Sequence, residues 1–136
     1  MTVFVFGNPE LEQDSLPLRL LPELRRRLPG VEFAVKDPNE EWDVPADLAV
    51  IDTVVGISEP KVFDSLDAFA AAPRFSAHDF DAYANLRLLQ KLGKLRNISI
   101  IGLPPRHPEK ESVAFIELAL RPEGRRGAPE DPGPEL

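Results

Sequence analysis

The sequence predicts an α/β protein: an open, mostly parallel sheet in three layers, with helices on both faces. Two observations lead there. Short, continuous apolar runs recur along the chain, Val3-Phe4-Val5-Phe6, Leu48-Ala49-Val50-Ile51 and Ile98-Ser99-Ile100-Ile101, as strands covered on both faces require. Between them lie leucine-rich stretches of helical period, and the runs end at Gly, Asp or a Gly-x-x-Pro turn, where a loop must begin. At 136 residues the chain is long enough for one such core and short for two.

Each element follows from local pattern. Val3 to Phe6 is a strand stopped by Gly7-Asn8-Pro9. Asp14-Ser15 can cap a helix in which Leu16, Leu20, Leu21, Leu24 and Leu28 recur on one face. Pro17 suits its first turn, Pro22 removes a backbone hydrogen bond and predicts a kink or a late start, and Pro29-Gly30 ends it. Val31 to Val35 alternates as a half-buried strand, and Asp47 to Asp52 is a core strand running into an aspartate. The connection from Lys36 to Ala46 is barely long enough for a parallel crossover; only Asn39 to Val44 can make a helical turn, and Trp42 is expected to pack it against the sheet.

Lys61 to Leu66 reads as a short edge strand. Ala82 to Leu92 reads as a second helix with Tyr83, Leu86, Leu89 and Leu92 on one face, and Ile98 to Gly102 as the last core strand. Ser112 to Leu120 fits both periods and is read as a helix. From Pro122 to Leu136 the chain is Pro, Gly, Arg and acidic residues, too poor in apolar groups to offset the entropy of ordering. Residues 1–121 are therefore expected to form the domain and 122–136 a solvated tail.

Charge and composition exclude several functions. A net charge of -7, from 16 basic and 23 acidic residues, opposes binding to a phosphate backbone, so no nucleic-acid partner is expected. The cluster Arg25-Arg26-Arg27 falls at a helix end, where cations complement the dipole. No run approaches the roughly 18 apolar residues of a membrane helix, and Met1 to Phe6 lacks the pattern of a secretory leader; a cytoplasmic protein without membrane insertion is expected. Zero cysteines leave metal chemistry to Asp, Glu and His. The spacing Gly-x-Gly-x-x-Gly is absent, so no nucleotide site is assigned, and neither His-Glu-x-x-His nor Gly-x-Ser-x-Gly occurs.

In open α/β sheets ligands bind beyond the carboxyl ends of the strands, where the strand order reverses. In a flavodoxin-like 2-1-3 order the crevice lies between the first and third strands. The loop holding Asp14 follows one and Asp52 ends the other; His78, in Phe75-Ser76-Ala77-His78-Asp79, precedes the second helix. Two carboxylates and an imidazole suit a borderline divalent metal with open positions. Each also has a plain alternative: Asp14 as a helix cap, Asp52 as a turn former, His78 as an exposed loop residue. Asp79 and Asp81 can orient the imidazole or cap the helix. His107, in Pro104-Pro105-Arg106-His107-Pro108, reads as a solvated loop residue.

These motifs, in this order, resemble the nickel-iron hydrogenase maturation endopeptidases. The likeness rests on Val3-Phe4-Val5-Phe6-Gly7-Asn8-Pro9-Glu10-Leu11-Glu12-Gln13-Asp14, on Leu48-Ala49-Val50-Ile51-Asp52 leading through Gly56 and Pro60 to Val62, on Ser76-Ala77-His78, and on Ile98-Ser99-Ile100-Ile101-Gly102-Leu103-Pro104-Pro105. It covers Met1 to Pro105. Three departures stand out: Gln13 replaces the first acid of the family's usual pair, Ser15-Leu16-Pro17 replaces the glycines that follow, and the helix between the second and third strands is almost gone. The resemblance implies a peptidase that removes a C-terminal extension from a hydrogenase large-subunit precursor after nickel insertion. It implies Asp14, Asp52 and His78 as catalytic and metal-binding residues on nickel supplied by that substrate, with Gly7, Asn8 and Asp79 shaping the site. A non-catalytic scaffold docking on a metalloenzyme subunit is the alternative expectation.

Overall fold

The structure, a computed structural model, describes residues 1–37, 40, 42–70 and 77–121, without the side chains of Ala70 and of residues 77–80. Five strands, β1 (Thr2–Val5), β2 (Glu32–Val35), β3 (Asp47–Thr53), β4 (Lys61–Phe63) and β5 (Asn97–Leu103), form one sheet in the order β2-β1-β3-β5-β4. The first four in that order are parallel and β4 is antiparallel at the edge. In register, Val5 lies opposite both Val35 and Ile51, and Asp52 lies opposite Gly102.

The alternation of strand residues divides the core in two. Val3, Val5, Ala49, Ile51, Ile101 and Leu103 pack under α1 (Leu16–Arg19), α2 (Leu21–Arg27) and α5 (Glu109–Ala119). Phe4, Phe6, Leu48, Val50, Ile98 and Ile100 face α3 (Leu66–Ala70), α4 (Ala77–Lys91) and Trp42. Period-two alternation with both faces covered is what a parallel sheet demands, and it explains why β1, β3 and β5 are nearly continuous apolar runs.

Several elements depart from the sequence reading. The first helix is two: α1 ends at Arg19, Leu20 caps both, and α2 restarts with Pro22 in its first turn, where the missing N–H has no helical partner to lose. The second helix begins at Ala77 rather than Ala82, so the backbone of His78 and Asp79 lies in its first turn and not in a loop. The five-residue α3 follows the edge strand, which is only three residues long.

The β2–β3 connection has no regular element among its described residues. Trp42 fills the place of a crossover helix: it is 6% exposed, lies at a tilt against Phe6 and edge-to-face with Phe4, with centroids 5.4 and 5.8 Å apart, and donates its indole N–H to the Asp37 carbonyl at 2.9 Å. Residues 112–120 are helical as read, within α5 and its C-cap Leu120. The tail expected from Pro122 onward, with Asn39 and Ser76, lies outside the described residues.

Candidate active site at the carboxyl end of the sheet

Asp14 closes a short 3-10 turn, Glu12–Asp14, just ahead of α1, and is 1% exposed. It does not cap α1: Ser15 holds that position. What fixes Asp14 is its backbone. The N–H of Asn8 donates to the Asp14 carbonyl at 2.8 Å, the N–H of Asp14 donates to Leu11 at 2.9 Å, and the side-chain oxygen of Asn8 accepts from the Glu10 N–H at 2.9 Å. The loop after β1 is thereby folded back on itself, with the acid at its inner end.

Gly7 is needed there. A Cβ at Gly7 would stand 2.9 Å from the Asp14 carbonyl oxygen and 3.1 Å from Leu18 Cγ, closer than a backbone neighbour tolerates. The sequence assigned Gly7 and Asn8 to shaping the site; in the structure both touch the Asp14 backbone.

Asp52 is the penultimate residue of β3 and is 2% exposed. One carboxylate oxygen accepts the N–H of Thr53 at 2.8 Å. Its side chain shares the layer of Leu48 and Val50 and borders a cavity of about 10 Å3 with Phe6, Phe69, Ala82 and Tyr83. Opposite it, Gly102 leaves room for Val54 and Phe63, whose carbons would lie 2.7 and 2.9 Å from a Cβ. The backbone of His78 stands one helical turn ahead of Ala82, a neighbour of that cavity; its side chain and that of Asp79 lie outside the described residues.

Asp14 and Asp52 thus enter from different layers. The β1–β3 ladder links them: Val5 faces Ile51, Phe6 N–H donates to the Ile51 carbonyl at 3.0 Å, and Gly7-Asn8, against which Asp14 is hydrogen-bonded, come next. Carboxylates are hard oxygen donors, so this pair could hold a divalent cation. Among the described residues no group of three His, Asp or Glu forms a metal cage.

After the carboxyl ends of β3 and β5 runs a groove of about 680 Å3 that the sequence did not reveal. Gln13 forms one wall, Val55 and Ser58 after β3 another, and Pro104 to Pro108 after β5 the third. His107, expected in solvent, is a half-buried part of that wall: its side chain is 15% exposed, its N–H donates to the Pro104 carbonyl at 3.2 Å, and its Nε2 lies 3.8 Å from Glu111 Oε1. A five-residue segment with three prolines carries no periodicity from which a wall could be read; only its place after β5 makes it one.

No protein-family model and no curated protein matches the sequence. Solved structures do match. The hydrogenase maturating endopeptidase HybD from E. coli superposes with a TM-score of 0.65 at 16% identity, over 91% of this chain and 94% of that one. The endopeptidase HycI from Escherichia coli gives 0.62 at 18% identity, over 93% and 92%. A hydrogenase 3 maturation protease gives 0.60 at 16% identity, over 85% and 86%. The chain has the fold of these proteins.

Proposed function

We propose that this protein is an endopeptidase that removes a C-terminal extension from a nickel-iron hydrogenase large-subunit precursor, with the nickel already held by that precursor as the element recognised. The observation that carries the reading is the pair of deeply buried acids, Asp14 and Asp52, at the carboxyl end of β1 and β3, in a fold shared with structures titled as hydrogenase maturation endopeptidases. His78, in the first turn of α4, completes the proposed set. Two hard oxygen donors and one imidazole, with no thiolate in the chain, can complete the coordination of a metal that another protein holds in part. A divalent metal gripped there would supply Lewis acidity beside the scissile carbonyl.

The chain's own residues then bind and orient. Asp14 and Asp52 balance the charge of the cation, the Thr53 amide fixes one oxygen of Asp52, and the Gly7-Asn8 loop holds Asp14 in place. Asp79 is proposed to orient the imidazole of its neighbour, as carboxylates behind metal-bound histidines do.

The test is incubation with a hydrogenase large-subunit precursor, nickel-loaded and nickel-free, followed by the mass of the product. Loss of a C-terminal fragment from the loaded precursor alone is expected. Complex formation with an intact precursor would favour the scaffold reading instead, and equal processing of both precursors would remove nickel as the recognition element.

A further inference from the structure

We propose that the groove beside Gln13 seats an extended segment of the polypeptide to be cleaved, with apolar side chains against its prolines and an acidic side chain paired with Arg106, a specificity-determining residue. The inference rests on the endopeptidase reading and adds the chemistry of the segment recognised.

Chain continuity ties the groove to the acid-bearing segments. Gln13 directly precedes Asp14, Val55 lies three residues beyond Asp52, and the Pro104–Pro108 wall follows β5, whose Gly102 is the ladder partner of Asp52. The groove walls are therefore chain neighbours of the two acid-bearing segments, although neither acid lines the groove itself. The volume, about 680 Å3, lies within the roughly 300–1,000 Å3 typical of ligand clefts.

The walls suit an extended peptide. Prolines have fixed φ and no N–H to leave unsatisfied, so Pro104, Pro105 and Pro108 present a rigid apolar surface that loses little entropy when covered. In an extended segment alternate side chains point the same way. One set can lie on the prolines while the side chains of Gln13 and Ser58, which make no hydrogen bond among the described residues, meet the peptide's polar groups.

Charge identifies the remaining feature. Arg19, Arg26, Arg27 and Arg87 are each held in ion pairs with Glu109, Glu23, Glu117 or Asp67. Arg106 is exposed and has no ion pair among the described residues. Its neighbour His107, if protonated, has Glu111 to balance it. In a chain of net charge -7, the groove is thus lined by one uncompensated cation, which an acidic side chain of the bound segment would complement.

Fluorescence anisotropy with four labelled hexapeptides, one of them a blocked alternation of valine and lysine, tests this without metal and without cleavage. The first alternates valine and glutamate and is blocked at its C-terminus; the second replaces glutamate by glutamine; the third is the glutamine peptide with a free terminal carboxylate. The glutamate peptide is expected to bind about five-fold more tightly than the blocked glutamine peptide, as an exposed ion pair allows. That preference should vanish near 1 M salt, where the screening length is about 3 Å. It should also vanish in Arg106→Gln, and invert towards a valine–lysine peptide in Arg106→Glu.

Equal affinity of the blocked peptides, a preference that survives Arg106→Gln, or a free-carboxylate glutamine peptide binding as well as the glutamate one would overturn the proposal. The two readings fail separately. A protein that cleaves the precursor but shows no glutamate preference loses only this inference, and one with the preference that leaves the precursor intact loses only the endopeptidase reading.

Discussion

The two layers that cover the sheet have cores of different make-up. Under α1, α2 and α5 the core is aliphatic apart from Phe33 and Phe115; Arg19 to Glu109 and Arg27 to Glu117 tie α1 and α2 to α5, and Arg26 and Arg27 pair with Glu23 within α2. On the other face the core is aromatic, with Phe4, Phe6, Trp42, Phe63 and Phe69 filling space beside α3 and α4. The first layer delivers Asp14 and the second receives Asp52. A site built across both depends on the sheet between them for its geometry, so damage to either layer should reach it.

The largest effect is expected at the acids themselves. Asp14→Asn, Asp52→Asn and His78→Ala should each abolish cleavage of a nickel-loaded precursor while circular dichroism stays native. An amide keeps a carboxylate's size but loses the charge a cation requires, and alanine removes the imidazole. Because the three act through one metal, a double variant should be little worse than a single one. Independent, multiplicative losses would break the claim that the two layers serve one site.

Next comes the aromatic layer. Trp42→Ala should lower stability by about 3–5 kcal/mol in urea unfolding, the usual range for a buried large aromatic, and Trp42→Phe should recover most of it. A loss below about 1 kcal/mol would mean that Trp42 does not replace the missing crossover helix. Gly7→Ala, which drives a methyl into the Asp14 carbonyl, should cost about 1–3 kcal/mol and slow cleavage by more than its effect on stability explains.

How much of this was legible in the sequence depended on the range of the signal. β1, β3 and β5 were readable because strands buried on both faces are continuous apolar runs, and the positions of Asp14 and Asp52 at the carboxyl end of the sheet because each stands at the end of such a run or of the loop after it. The start of α4 was not: His78, Asp79 and Asp81 interrupt the apolar period, and the helix continues through them. The five residues of α3 are too few to display a period at all. The break between α1 and α2 was half legible, since Pro22 announced a disturbance and the structure shows it as a restart. The groove and the burial of His107 arise where segments far apart in sequence meet, a relation no local pattern encodes.

The smallest effect belongs to the ion-paired layer. Hydrogen bonds from Arg26, then Arg27, hold the exposed Glu23 carboxyl down at about 2, below its ordinary 4.5. A depressed acid contributes stability only while it is ionised in the fold. The Glu23 contribution is therefore complete above its ordinary value of 4.5 and is lost as the pH falls to about 2. Being exposed, it is small: Glu23→Gln should shift the melting temperature only slightly at neutral pH, and not at all at the acid limit. An equal shift at both pH values would show that the effect is not the ion pair.

The central claim is that acids from the two layers meet on one cation. Crystals soaked with a divalent cation of borderline character, nickel or zinc, test it most directly through the anomalous signal. A single ion bonded at about 2 Å to Asp14, Asp52 and His78 together is the predicted result. An ion bound by one layer alone, or lodged elsewhere while Asp14 and Asp52 stay apart, would contradict it.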